Sequence, residues 1–107
     1  MLYKFKSKDS ADVIMLGPAG DRVLKLLGRS PSAKGIFEPA DLPALMLALE
    51  QAVADDEAAF AQAQADATAE GTHLPPREGV SLRQRVWPLL EMMRRAHAKL
   101  HEIVWGV

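Results

Sequence analysis

A chain of 107 residues, about half of them apolar and a quarter charged, has the make-up of one ordinary globular domain and is too short for two. The absence of cysteine removes disulfides, thiolate nucleophiles and cysteine-based zinc sites, and a net charge of −1 gives no general pull toward nucleic acid or anionic lipid. No stretch approaches the roughly 20 apolar residues that span a bilayer, and the lysines alternating with apolar residues over Met1–Lys8 interrupt any leader-like run, so a cytoplasmic protein is expected.

Leu2 to Lys6 alternates Tyr3 and Phe5 with Lys4 and Lys6, the period of two of a strand with one face in water. Turn-forming Ser7-Lys-Asp-Ser-Ala11 then predicts a hairpin into an antiparallel second strand, Val13 to Leu16. Because these four residues are all apolar, the expectation is a central strand covered on both faces, with the lysines of the first strand guarding a sheet edge. Gly17-Pro-Ala-Gly20 turns the chain into a first helix starting at Pro18 or Ala19, with Val23, Leu24, Leu26 and Leu27 toward the sheet and a left-handed end at Gly28. Gly35 to Phe37 reads as a short third strand stopped by Pro39, which cannot donate to a ladder.

Asp41 is placed to cap a long second helix, with Pro43 in its first turn. Leu42, Leu45, Met46, Leu49, Val53 and Phe60 recur at spacings of three, four and seven, whereas Ala61 to Ala69 has helix propensity but nothing large to bury and is expected as a solvated, fraying extension. A flexible loop is expected near residues 71–80, with Pro75 and Pro76. Ser81 and Gln84 have the spacing of a capping box, opening a third helix in which Leu82, Val86, Leu89, Leu90, Met93, Ala96 and Leu100 face inward and which Pro88 must kink or delay. The β-branched and aromatic residues of Glu102–Val107 predict a last strand. The whole is a single α+β domain over 1–107, in the order β-β-α-β-α-α-β, with a small antiparallel or mixed sheet packed on one face by three helices.

Met1–Lys8, the Val13-Ile-Met-Leu-Gly-Pro18 turn, Lys34-Gly35 before Pro39, Leu82-Arg-Gln-Arg85 with Trp87-Pro88, and the terminal Val104-Trp-Gly-Val107 resemble a bacterial family, domain of unknown function 1840. The resemblance covers essentially the whole chain and implies a small cytosolic protein. It carries over no catalytic or binding residue.

Charge is segregated along the chain. Residues 1–35 hold seven Lys/Arg against three acids, residues 36–70 hold eight acids and no base, and residues 71–107 hold six Lys/Arg against three acids. An acidic middle helix lying against two basic ends accounts for this, and a surface that meets an oppositely charged partner is the alternative. Within the basic end, Arg83, Arg85, Trp87 and Arg94 form a candidate interaction surface, although Arg94 and Arg95 do not share a face with all the others.

Two further groupings carry possible chemistry. Gly17, Gly20 and Arg22 surround a strand-to-helix turn where free amides and the helix dipole favour an anion. A tight turn with Asp21 answering the dipole explains the same residues, and no phosphate-loop or GxGxxG motif is present. His97 and His101 lie four apart, a spacing two metal ligands can share, with His73, Glu91 or Glu102 as a third. Placing positive groups in the last helical turn is the plainer role for them. Asp55, Asp56 and Glu57 diverge around a helix and cannot converge on one ion, and the serines fall in turns or caps. With no convergent catalytic set, the expectation is a non-enzymatic binding or regulatory protein acting through contacts with a protein partner or as a homodimer, without cofactor. A small-anion or nucleotide binder using residues 17–20 is the alternative.

Overall fold

The turn chemistry between the first two strands is realised as a hairpin in a computed structural model, which describes residues 2–72 and 81–107. The elements are β1 (Leu2–Ser7), β2 (Ser10–Leu16), α1 (Gly17–Leu26), β3 (Gly35–Phe37), a 3-10 turn (Pro39–Asp41), α2 (Leu42–Ala69), α3 (Leu82–Lys99) and β4 (Ile103–Trp105). The four strands form one antiparallel sheet in the order β2-β1-β4-β3. The fold is α+β, and the closing segment is a strand, inserted between β1 and β3.

Period-two geometry sorts each strand into two faces. Tyr3, Phe5, Met15, Phe37, Ile103 and Trp105 point into the core, where the helices cover them. Phe5, Phe37 and Trp105 form a ring cluster, with centroids 5.5 Å apart for Phe5 and Trp105 and 4.7 Å for Phe37 and Trp105. The indole N–H of Trp105 donates to the Ser32 carbonyl at 3.0 Å, so its one polar group is satisfied.

The second strand departs from expectation. β2 is an edge strand, and only its inner face is covered: Met15 is buried and Val13 half-buried, whereas Ile14 and Leu16 face water. The lysines of β1 consequently lie on the open face of an interior strand and guard no edge. An all-apolar run reports that burial is favourable on both faces, but not which face its own chain covers.

The helix ends follow local chemistry. Gly28, at φ 76°, takes the left-handed position after α1, and the amides of Gly28 and Arg29 donate to the carbonyls of Lys25 and Leu24 at 3.0 and 2.8 Å. Asp41 does not cap α2. Its carboxylate lies 3.6 Å from Arg29, and the helix instead grows out of the 3-10 turn. α2 buries Leu42, Leu45, Leu49 and Val53 in its first half and then runs on as a largely exposed helix to Ala69. Its 28 residues, about 42 Å at 1.5 Å per residue, set the 51 Å long axis of the molecule. Gly71 and Thr72 close α2, and the rest of the loop expected near 71–80 lies outside the described residues.

Ser81 and Gln84 form the reciprocal capping box. α3 starts without delay and continues through Pro88 to Lys99. It stops at Leu100, which does not face inward as its spacing predicts: it ends the helix in the left-handed conformation at φ 57° and is 72% exposed. An L side chain there costs about 1 kcal/mol and gains no packing in return. Leu100→Gly is expected to raise stability by about 0.5–1 kcal/mol, read as a higher urea midpoint with an unchanged slope; an unchanged or lower midpoint contradicts the strain.

Candidate interaction surface

α3 carries Arg83, Trp87, Leu90 and Arg94 at spacings of four, three and four, which places them on one stripe of the helix. That stripe lies beside α2, and Glu50, Val53, Arg83, Val86, Trp87 and Leu90 line a recess of about 90 Å³ between the two helices. A wider dish of about 420 Å³ adjoins it, walled by Arg83, Gln84, Trp87 and Pro88. Trp87 stands between the two hollows and is 45% exposed.

The acids of α2 hold the arginines on either side of this ring. Arg83 Nε donates to Glu57 Oε1 at 2.8 Å. The Arg94 guanidinium lies 5.1 Å from the Trp87 ring centroid, while one of its nitrogens donates to Glu50 at 3.3 Å and another to Glu91. These exposed pairs are worth only about 0.2–1 kcal/mol each, so their main effect is to fix side-chain direction. The acidic middle of the sequence is thus matched to its basic ends, with Arg22 and Asp56 adding a looser pair at 3.9 Å.

The sequence-based grouping of four residues divides in space. Arg83, Trp87 and Arg94 come together, whereas Arg85 turns to the other flank of α3 and joins Leu16, Pro18, Ala19 and Arg22 around a recess of about 330 Å³ at the start of α1. The Arg85 backbone N–H donates to the Ser81 carbonyl at 3.0 Å, but its guanidinium has no ion-pair or hydrogen-bond partner among the described residues. Its two-residue offset from Arg83 already sets it on another face; that this face meets α1 is decided by tertiary packing.

Gly17 and Gly20 are both buried, and Gly20 serves the core. A Cβ on Gly20 would lie 2.0 Å from the Tyr3 ring, so the glycine lets the aromatic side chain of β1 reach the helix backbone. The Tyr3 hydroxyl donates to the Asp21 carboxylate, which lies beyond the first turn and so does not answer the dipole at the helix start. No local signal marks this contact, because its partners are 18 residues apart.

His97 and His101 do not share a helical face. The left-handed Leu100 ends the helix between them, and His101 turns back so that its Nδ1 lies 2.9 Å from Asp9. Among the described residues no three His, Asp or Glu side chains gather where a metal ion would sit; His73 lies outside them. Asp55, Asp56 and Glu57 diverge to Gln51, Arg22 and Arg83.

Three helices on one face of a four-stranded antiparallel sheet, with a tryptophan-centred cleft in the helix layer, define a small α+β domain. The model of a family described as Domain of unknown function (DUF1840) matches residues 1–105, and the chain belongs to that family. No curated protein and no solved structure matches it. Among the described residues no helix is long and apolar enough to cross a membrane.

Burial and the adjacent Asp21 carboxylate push the Tyr3 phenol up from 10.0 to about 12. Native protein therefore holds this proton more tightly than unfolded chain. The resulting stability is complete below pH 10 and is lost as pH rises through about 12. Tyr3 is the single tyrosine, so ultraviolet phenolate absorbance follows it alone. Its native titration is expected near 12, falling to near 10 in denaturant; a native midpoint at the ordinary value contradicts the buried hydrogen bond.

Proposed function

We propose that this chain is a non-enzymatic binding protein of the cytoplasm that acts through protein contacts at the Trp87 cleft. One observation carries the reading: a half-exposed tryptophan beside two hollows, flanked by arginines whose directions are fixed from α2. Tryptophan and arginine are the residue types that dominate binding energy at protein interfaces, and pre-set side chains lower the ordering cost of association. The partner that fits presents a large apolar side chain to the dish and a carboxylate beside it. Arg83 and Arg94 each keep N–H donors beyond those their glutamates use.

The test compares Trp87→Ala, Arg94→Ala and an exposed control, Leu47→Ala, for recovery of cytosolic proteins and for affinity to any protein so purified. Trp87→Ala is expected to weaken binding by at least about thirtyfold, the range of an interface hot spot, with an unchanged circular dichroism spectrum. Equal recovery by all three variants, or no recovered protein, overturns the reading.

A second reading is favoured by Arg85 and Arg22 meeting at the start of α1, where Leu16 provides no side-chain cap. Two guanidinium groups beside uncapped amides suit a phosphate or nucleotide anion. Phosphate or a nucleotide is then expected to raise the melting temperature, and Arg85→Ala to abolish the rise while leaving the core intact. A flat response across phosphate and the common nucleotides removes this reading.

A further inference from the structure

We propose that the dish beside Trp87 takes an extended, unpaired stretch of main chain from its partner, a linear peptide segment rather than the face of a folded helix or sheet. The inference deepens the reading of the Trp87 cleft and rests on it. It stands on the polar groups of one residue, Gln84, which walls the dish with Arg83, Trp87 and Pro88.

A helical carbonyl points along the axis toward the residue four places on, whose N–H it accepts. For Gln84 that residue is Pro88, which lies inside α3 and has no N–H to give. Gln84 and Pro88 are both exposed, so this carbonyl opens to the solvent side of the helix, within the wall of the dish. The side chain of the same residue is oriented by the helix start. The Ser81 N–H and the Ser81 hydroxyl both donate to Gln84 Oε1, each at 3.2 Å. Two donors require an oxygen there, which makes the amide nitrogen the free end. Its N–H groups have no partner among the described residues.

Gln84 thus shows an acceptor and donors together beside an apolar wall. A main-chain segment supplies the complement, an N–H for the carbonyl and a C=O for the amide, while its side chain fills the dish against Pro88 and the 45% exposed Trp87. Chain already in a helix or an interior strand has spent these groups, so the occupant is extended. Charge agrees. Arg83 is paired with Glu57, and Arg94 with Glu50 and Glu91, so among the described residues the dish presents no unbalanced charge, as suits a neutral peptide group.

The probe is a display library of random linear peptides of about twelve residues, selected on the wild-type chain, with the best binder then remade with each backbone amide N-methylated in turn. Selection is expected to yield peptides that share a large apolar residue and bind Trp87→Ala at least about thirtyfold more weakly. N-methylation at one position costs about fivefold on the wild type and nothing on Pro88→Ala, whose restored amide occupies the Gln84 carbonyl. Gln84→Glu keeps the capping oxygen, and with it the melting temperature, but lacks the amide donors. It weakens the peptide by a similar factor even in about 0.5 M salt, where charge repulsion is screened. The inference is overturned by a selection without Trp87-dependent peptides, by a peptide indifferent to Gln84→Glu or to every N-methylation, or by an N-methyl effect that persists on Pro88→Ala. If Trp87→Ala still loses a cytosolic protein in those cases, the cleft reading stands with a folded surface as its occupant; equal recovery by Trp87→Ala and wild type overturns both.

Discussion

The insertion of β4 between β1 and β3 is the constraint on which the rest depends. It pairs Phe5 with Trp105, residues at the two ends of the chain, and brings Phe37 of β3 against the same indole. Without β4, β3 would have no neighbour in the sheet, and the rings of Phe5 and Phe37 would lose the side chain that locks them together. Aromatic pairs of this kind contribute about 0.5–1.5 kcal/mol each beyond their buried area. The larger effect is topological: the closing strand makes one four-stranded floor out of a hairpin and a three-residue fragment, and the helices pack on that floor.

The helix layer then arranges what the molecule displays. α3 covers the sheet with Val86, Leu89, Met92 and Met93, and this fixes the rotation of the helix. With that rotation set, Arg83, Trp87 and Arg94 stand toward α2 and Arg85 stands toward α1. The acids of α2 hold Arg83 and Arg94 in place, so charges 26 and 44 residues apart in sequence become a local clasp around one tryptophan. Its energetic weight is small because it is exposed. Its weight for binding is larger, since rigid side chains lose less freedom on contact.

The start of α1 shows how a suggestive pattern acquires a structural explanation. A glycine-rich turn before a helix is what an anion site needs, and it is also what a tyrosine needs to reach the helix backbone. Gly20 has the second role, and Asp21 is engaged with the Tyr3 hydroxyl. The cations at this end come from Arg22 and Arg85, the latter from a helix that begins more than 60 residues later in the chain.

By itself the sequence determined what depends on local rules. Alternation identified the strand faces of β1, three- and four-residue spacings identified the core sides of the helices, and the capping box at Ser81 and the left-handed turn at Gly28 located two helix ends. It also carried the family, through motifs spread from end to end. What needed tertiary structure was every matter of adjacency. Val13 to Leu16 could not reveal that β2 is an edge, because an apolar run reads the same at the edge of a sheet as at its centre. Asp41 was drawn from capping to Arg29 by a neighbour across the loop. His97 and His101 were separated by a left-handed leucine that no helix propensity anticipates. Local geometry follows from backbone sterics and periodicity, which act within a few residues; neighbours across the fold are chosen by how the whole chain closes its core, and that is settled only when β4 enters the sheet.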